Sequence, residues 1–455
     1  MTPILLACGS NASAQLSIGH CDDVHSFQPC LFHPEVEHLL PDASILDLVS
    51  SSTHSLLLLS TAAHGARRNL LLGAGTNTMG QLGPRCALWD ETKPEGRWKP
   101  VDLLGPLDLS HEDWEPVKVA VTWTTSFVVY RRLNDEAARG ASAASPEEGV
   151  RQIVVSCGSN DFGELGVGDP GREGHIPTSR ASAKPTIIEL GLNKGGAVEM
   201  IKGGQRHVLA VTMDACGKQR LMGWGAARRG ELDPSTATDA ASSSTSAAGV
   251  RASGSASYKG KGKAVTRPAS LPPTTIELPI GEGQRIVDIA LGASHSLVRL
   301  SDGRVIGWGS NTKGQITNLH SASQVTGVAA TWGGTYLLTG SGDLWSQGPN
   351  THSQLLRTGD APRGRFELPE GWSSDRLVAG SEHILVHATS GGGDAEGLFV
   401  GGWNEHGNLG QGDTADRDRL IPVDLQAHGL ECSGAKILGV WAGCASSWLW
   451  VDAMT

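Results

Sequence analysis

The chain has 455 residues, a formal net charge of -10, 60 glycines and an apolar content of 39%. This acidic balance argues against direct binding to nucleic acid, and residues 259–263 hold the main basic run. No stretch approaches the roughly 18 consecutive apolar residues that span a bilayer, so we expect no contact with a membrane. The eight cysteines include no C-x-x-C pair, so we expect reduced, buried thiols. The expected location is the cytoplasm, and the nucleus as well.

The first predicted element is a strand over residues 3–8, which leads into Gly9 and then Asn11, Gln15 and Leu16. An apolar strand, a glycine, in most copies an Asn two positions later, and then Gln/Glu-Leu-Gly form a pattern that occurs seven times. The glycines of the later copies are Gly75, Gly158, Gly225, Gly309, Gly348 and Gly402. Repeats at this spacing indicate a solenoid, a propeller or an array, and glycines at fixed positions are typical of turns and close backbone approach.

A second pattern alternates with the first and predicts further strands in each copy. It consists of an apolar strand, a Gly or Trp, a His or a substitute, and another apolar strand, as in residues 286–298. Asp302-Gly303 then predicts a tight hairpin that joins the strand after the His to the next glycine pattern. We place the His position of the seven copies at His54, Ser126, His207, His295, Tyr336, His383 and Ser446.

The last predicted strand covers residues 447–452, and the repeat gives it no following partner, just as the first strand has no preceding one. Pairing these two strands closes a ring and leaves no unpaired inner edge, which is how propellers protect their strands. We therefore predict an all-β fold. It is a single seven-bladed β-propeller over residues 1–455, with four strands in each blade and closed by pairing of the N- and C-terminal strands.

Three long segments interrupt the repeats. Residues 84–116 form an insert loop with three tryptophans, among them Trp98, and we expect part of it to pack on the surface. Residues 133–149 are rich in Ala, Glu and Ser, which predicts a mobile loop. Residues 233–273 are almost entirely Ser, Ala, Thr, Gly and Lys. Because such a composition cannot bury enough apolar surface to order itself, we predict a disordered low-complexity loop inside the propeller.

The two alternating patterns together resemble the repeat of the regulator of chromosome condensation family. The resemblance rests on Gly-x-Asn followed by Gly-Gln-Leu-Gly, alternating with Gly-x-x-His-Ser-Leu, and it covers nearly the whole chain outside the inserts. Members of that family are seven-bladed propellers, which implies the same fold here. The fold leaves function open, because it hosts a nucleotide-exchange factor, a plant ultraviolet receptor, ligase-associated modules and adaptor proteins.

Residues 9–32 carry a narrower resemblance, to the fungal alpha-tubulin-suppressor-type proteins. These are similar to the killer-toxin-insensitivity propeller, which pairs with the small zinc-binding protein of diphthamide synthesis. The resemblance implies a non-catalytic adaptor that forms a heterodimer with that zinc protein. It would support diphthamide formation on elongation factor two and Elongator-dependent modification of wobble uridines in tRNA.

Two alternatives stay open, namely a guanine-nucleotide exchange factor for a Ran-like small GTPase and a structural module in microtubule or chromatin pathways. In the exchange-factor branch, acidic residues just before the repeated His contribute to docking, and here Glu382 is the one acidic residue in those pairs. The photoreceptor interpretation fails because its repeated Gly-Trp-Arg-His-Thr phrase is missing. We predict that Trp224 and Trp308 pack between blades.

The sequence predicts no catalytic site, cofactor or metal. The repeated histidines occupy one structural position, and Ser or Tyr replaces them in other copies, which indicates packing rather than ligation. Propellers bind partners through the loops of one face, and such interfaces are enriched in Trp, Tyr and Arg. The predicted partner-binding residues are Trp123, Arg206, Trp332, Glu382, Trp403 and His406.

Overall fold

The computed structural model describes residues 3–63, 66–84, 96–133, 151–167, 184–236, 267–319, 322–359, 361, 363–393, 395–426 and 436–452. In these ranges the chain is folded into seven antiparallel sheets, six of four strands and one of three. Helical structure in the same ranges is limited to single turns. These are α1 (Pro34–Glu37) and the 3-10 turns Leu40–Asp42, Gly105–Leu107 and Pro234–Thr236.

The strands follow one another along the chain in the order of the blades. The chain starts with β1 (Ile4–Gly9) and β2 (Val24–Pro29). Blade 1 contains β3 (Ser44–Ser50), β4 (His54–Ala63), β5 (Ala66–Gly75) and β6 (Lys99–Pro100). Blade 2 contains β7 (Trp114–Val121), β8 (Thr125–Arg132), β9 (Gln152–Gly158) and β10 (Thr186–Ile188). Blade 3 contains β11 (Ala197–Gly203), β12 (His207–Met213), β13 (Gln219–Ala226) and β14 (Ser270–Ile276).

The second half repeats the arrangement. Blade 4 contains β15 (Ile286–Leu291), β16 (His295–Leu300) and β17 (Val305–Gly309). Blade 5 contains β18 (Val325–Ala330), β19 (Thr335–Thr339), β20 (Leu344–Gln347) and β21 (Arg363–Phe366). Blade 6 contains β22 (Trp372–Ala379), β23 (His383–Ser390), β24 (Glu396–Gly402) and β25 (Arg417–Pro422). Blade 7 joins β26 (Lys436–Gly443) and β27 (Ser446–Asp452) to β1 and β2.

The seven sheets stand around a central channel of about 600 Å³, which the first strand of each blade lines. Hydrophobic cores lie between consecutive blades. Leu56 and Leu58 of blade 1, for example, are buried against Val128 and Tyr130 of blade 2. Apolar surface that one blade alone would expose is therefore covered by its neighbour. The predicted all-β, seven-bladed propeller is confirmed, with the difference that blade 4 has three strands in the described ranges instead of four.

Blade 7 closes the ring in the predicted way. β1 lies between β2 and β27, and its pairing with β27 runs from Ile4 opposite Val451 to Gly9 opposite Ser446. Leu5 and Leu6 are 1% and 0% exposed. The first strand is thus a central strand of its sheet, and its apolar sequence suits burial on both faces.

The glycine pattern builds the turn that ends the third strand of each blade. Gly75 has a φ of 104°, and a Cβ there would lie 2.3 Å from the carbonyl oxygen of Thr53. Asn77 Oδ1 then accepts the backbone N–H of Leu82 at 2.8 Å, and Gln81 Oε1 accepts that of Met79 at 2.9 Å. The Asn and the Gln are therefore fixed by local hydrogen bonds that the turn would otherwise leave unmade.

Two of the predicted His positions are wrong, one by one residue and the other by two. His54 pairs with Gly75, and the residue that pairs with the equivalent Gly158 is Thr125, not Ser126. In blade 5 the position belongs to Gly334 rather than Tyr336, because Gly334 O accepts the N–H of Thr331 as His54 O accepts that of Ser51. The ladder with the following strand sets this register. A hydroxyl-bearing residue nearby therefore mimics the pattern.

The insert predictions need corrected boundaries. Within residues 84–116, the strand β6 pairs with β5, and β7 already begins at Trp114. Trp98 is completely buried in the same core cluster as Phe32. The backbone N–H of Trp98 donates to Leu31 O at 2.9 Å. The predicted loop 133–149 lies outside the described residues, except for its first residue. Of the predicted loop 233–273, only the two ends are described, and β14 occupies its last residues.

Candidate functional site

One face of the propeller, the loop face, is formed by the loops that join the first and second strands of the blades. These loops are residues 51–53, 122–124, 204–206, 292–294, 331–334, 380–382 and 444–445. Backbone hydrogen bonds connect loops of neighbouring blades. The N–H of Trp123 donates to Gln205 O at 3.0 Å, and that of Trp332 donates to Ser381 O at 2.7 Å. The loops are therefore held as one rigid surface.

Two tryptophans from opposite sides of the ring stack at the centre of the loop face. Trp123 belongs to blade 2 and Trp332 to blade 5, and their ring centroids are 5.7 Å apart with an interplanar angle of 22°. Both side chains are half-buried and line the central channel, so the pair lies across its mouth. A large aromatic surface on otherwise polar loops is typical of a binding anchor.

Arg206 lies beside this pair and is held by aromatic rings. Its guanidinium carbon is 5.6 Å from the centroid of Trp123 and 4.1 Å from that of Phe162. The N–H of Phe162 donates to the buried carboxylate of Glu164 at 2.7 Å. Burial raises the pKa of Glu164 to about 7, and the positive charge of Arg206 acts in the opposite direction. The cation–π contacts orient the arginine without neutralising it.

A second group lies on blade 6 of the same face. Trp403 donates its backbone N–H to Glu382 O at 3.1 Å, and its ring is 5.4 Å from that of His406, edge to face. The Glu382 carboxylate accepts Nε2 of Gln354 at 3.2 Å. Burial raises the pKa of this carboxyl group. His406 Nδ1 is 2.6 Å from Asp23 Oδ2, which lies in the loop between β1 and β2.

The structure thus places all six predicted residues on one face, in two groups. Trp123, Arg206 and Trp332 form the first, and Glu382, Trp403 and His406 form the second. The bond from Trp332 to Ser381 connects them, because Glu382 is the next residue. Three contacting side chains were not singled out in the sequence, and they belong to different repeats. They are Phe162 beside Arg206, His352 beside the ring of Trp403, and Asp23 beside His406. Only the aromatic character of Phe162 within a polar turn was a usable signal.

The repeated histidines lie below this face and connect blades. Each is buried, and each Nε2 contacts a hydroxyl of the next blade. The pairs are His54–Ser126 at 2.9 Å, His207–Ser296 at 3.0 Å, His295–Thr335 at 3.3 Å and His383–Ser447 at 3.0 Å. Burial lowers the pKa of His54 and His207 to about 3 and that of His295 and His383 to about 4. These side chains are neutral structural links.

Trp224 and Trp308 are buried between blades, as predicted. Their indole N–H groups donate to Glu164 O and Glu231 O, both at 2.8 Å. Within the described ranges no three His, Cys, Asp or Glu side chains are grouped so as to hold a metal ion. In the same ranges, no helix has the length and apolar character needed to cross a bilayer.

The fold and the loop face define a β-propeller built for protein–protein contact. The model of the Regulator of chromosome condensation (RCC1) repeat matches residues 286–315. Solved propellers align over the whole chain, with a TM-score of 0.65 and 17% identity in two cases. They are human WBSCR16, covered over 100% of its length, and Prp20p of Saccharomyces cerevisiae, covered over 92% and described with its binding to Gsp1p and histones. The chain thus carries a matched RCC1 repeat and has the same fold as these propellers.

Relatives along the whole chain are also found. A secretion-regulating guanine nucleotide exchange factor of Bos taurus is 26% identical, over 97% of this chain and 81% of the relative. An RCC1 repeat-containing protein of Schizosaccharomyces pombe is 24% identical, over 99% of both chains. The similarity therefore extends through all blades, well beyond the single matched repeat.

Proposed function

We propose that this protein is a non-catalytic interaction propeller whose loop face binds a Ran-like small GTPase and accelerates release of its guanine nucleotide. The observation that carries the proposal is the half-buried Trp123–Trp332 stack at the centre of that face. Aromatic anchors surrounded by polar contacts contribute most of the binding energy in protein interfaces. The similarity to a guanine nucleotide exchange factor over nearly the whole chain supports this class of partner.

The geometry suits this task because exchange requires no covalent chemistry. An exchange factor lowers nucleotide affinity by binding the nucleotide-free GTPase more tightly than the loaded form. A rigid surface favours such selectivity, since little conformational entropy is lost on docking. The hydrogen bonds between the loops of neighbouring blades supply that rigidity, and Glu382 offers a carboxylate just before the repeated His.

The test is release of a fluorescent GDP analogue from a purified Ran-like GTPase with and without the propeller. We expect at least a ~10-fold acceleration, and Trp332→Ala should remove most of it, because loss of a central anchor costs about 2 kcal/mol or more of binding. Ile187→Ala, on the outer strand β10, is the control and should act like the parent. An unchanged release rate with folded protein would exclude the exchange function.

An adaptor role for the small zinc-binding protein of diphthamide synthesis is the second candidate. Its support is the segment 9–32, which resembles the fungal adaptor propellers and places Asp23 against His406 on the loop face. Tagged protein purified from the native cell should then retain the zinc protein near one-to-one, and Trp403→Ala should release it. Recovery of a small GTPase instead would favour the first candidate.

A further inference from the structure

The charges of the loop face are divided mostly between two halves, with exposed Asp161 beside Phe162 as an acid in the basic half. Arg206 and Arg229 lie on blade 3, whereas Glu382 and Glu405 lie on blade 6 and Asp23 beside it on blade 7. We infer that Arg206 and Arg229 form a recognition site for a carboxylate-rich segment of the protein partner. This inference deepens the proposed function and rests on it for the role of the loop face.

Arg206 is held ready for an anion. The rings of Trp123 and Phe162 fix its guanidinium at 5.6 Å and 4.1 Å, which leaves its hydrogen-bond donors for an external group. Across the described ranges, no acidic side chain forms an ion pair with it. A guanidinium fixed by stacking loses little side-chain entropy when it binds a carboxylate in bidentate geometry.

Arg229 comes from the neighbouring turn of the same blade. The carbonyl of Arg206 accepts the N–H of Ala226 at 2.8 Å, and Arg229 follows three residues later. The guanidinium Nη1 of Arg229 is 3.5 Å from Ser294 Oγ, and in the part of the chain that the structure describes it forms no ion pair with an acidic side chain. The site thus extends across blade 3, from Arg206 beside the rings of blade 2 to Arg229 beside Ser294 of blade 4.

The two acids beneath the arginines are bound to the backbone. Glu164 accepts the N–H of Phe162 and Glu231 accepts that of Arg229, both at 2.7 Å. Burial raises the pKa of each acid, to about 7 for Glu164. Because a carboxyl group with a pKa of about 7 is only partly ionised near neutral pH, Glu164 offsets the charge of Arg206 only in part.

An acidic protein segment fits the site better than a nucleic acid does. The chain has a net charge of -10, so a long polyanion would be repelled by the rest of the surface. A short run of Asp or Glu is small enough to contact the basic half of the loop face alone. Opposite charges on the two halves would also fix the orientation of a partner, since complementary patches favour one docking register.

The experiment measures fluorescence anisotropy of a fluorescein-labelled hexaglutamate peptide titrated with the full chain at low salt. We expect saturable binding that hexaglutamine does not show. Arg206→Gln with Arg229→Gln should weaken binding at least ~10-fold. The control variant, Arg68→Gln with Arg419→Gln, makes the same change in net charge at exposed positions away from the site and should change binding less than ~2-fold. Equal losses in both variants, or no binding at all, would overturn the inference.

Two further arms complete the test. A single-stranded oligonucleotide that binds as tightly as the peptide, with the same dependence on the two arginines, would mean a general polyanion site and would also overturn the inference. If the Gln variant is not folded, the variant Arg206→Lys with Arg229→Lys replaces it. This variant keeps the charge but loses bidentate geometry, so it should bind the hexaglutamate peptide at least ~3-fold more weakly than the parent.

Failure of this inference is separable from failure of the proposed function. If Trp332→Ala abolishes partner binding while the double arginine variant leaves it unchanged, the loop face still binds the partner and only the anion site is wrong. If the GTPase does not bind but hexaglutamate does so through the arginines, the proposed partner is wrong and the site stands.

Discussion

Closure of the ring by β1 is open to a direct thermodynamic test, namely deletion of residues 1–10. The deletion removes Leu5 and Leu6, which are 1% and 0% exposed, together with the whole β1–β27 ladder. Truncating a buried leucine to alanine costs about 2–5 kcal/mol, so the two leucines alone account for about 4–10 kcal/mol. Since complete domains are stable by about 5–15 kcal/mol, the deletion should leave little or no folded protein.

The assay is unfolding in urea followed by tryptophan fluorescence, with Leu6→Ala as a graded version of the same change. Leu6→Ala should lower the free energy of unfolding by about 2–5 kcal/mol, because its side chain is fully enclosed. Ile187→Ala, which is 36% exposed on an outer strand, should cost about 1 kcal/mol or less. If the deletion variant unfolds at the urea midpoint of the parent, the first strand does not hold the ring closed and the reasoning fails.

Three smaller predictions follow from the repeats. Gly75→Ala should lower the free energy of unfolding in urea by about 2 kcal/mol or more, because φ is 104° and the new Cβ would meet Thr53 O. Gly217→Ala, with a φ of 80° but nothing within 4 Å of its new Cβ, should cost less in the same assay. His207 has its pKa lowered from 6.5 to about 3, so the unfolded chain binds more protons below pH 6.5 and stability falls as the pH drops. The free energy of unfolding should therefore fall less steeply in His207→Gln than in the parent between pH 6 and 4, by about 1.4 kcal/mol per pH unit. An identical dependence of unfolding free energy on pH in both proteins would contradict the assignment. Tyr336→Phe should cost about 1 kcal/mol in urea unfolding, because the hydroxyl donates to Gln354 O at 2.8 Å.

The sequence predicts the blade count and the closure because both depend on local patterns. Each turn needs a glycine with positive φ and an Asn or Gln whose side-chain oxygen accepts a backbone N–H of the turn. The copies are therefore recognisable at these positions although their other residues differ. The positions of Thr125 and Gly334 were missed because strand register is set by pairing with another strand. A neighbouring Ser or Tyr can match the pattern equally well.

In the candidate site, too, the sequence predicts what depends on residue type and position along the chain, but not the contacts between different blades. Residue type and proximity to loop ends sufficed to select Trp123 and Trp332, but their stacking joins blades 2 and 5, which no repeat pattern connects. Phe162 and Arg229 escaped notice because their importance depends on neighbours from other turns. The complete burial of Trp98 was not predicted because its environment is formed by residues around Leu31, far away along the chain.

The position of β1 between β2 and β27 also has a consequence for biosynthesis. During translation the first strand leaves the ribosome long before its partner, since β27 ends at Asp452. At about 5–20 residues per second, the delay lasts on the order of 20–90 seconds, and Leu5 and Leu6 stay uncovered on that side throughout. The newborn chain is therefore vulnerable to aggregation until β27 has been synthesised. Slowing the ribosome just before the codons of β27 should reduce the soluble yield more than slowing it before those of β1.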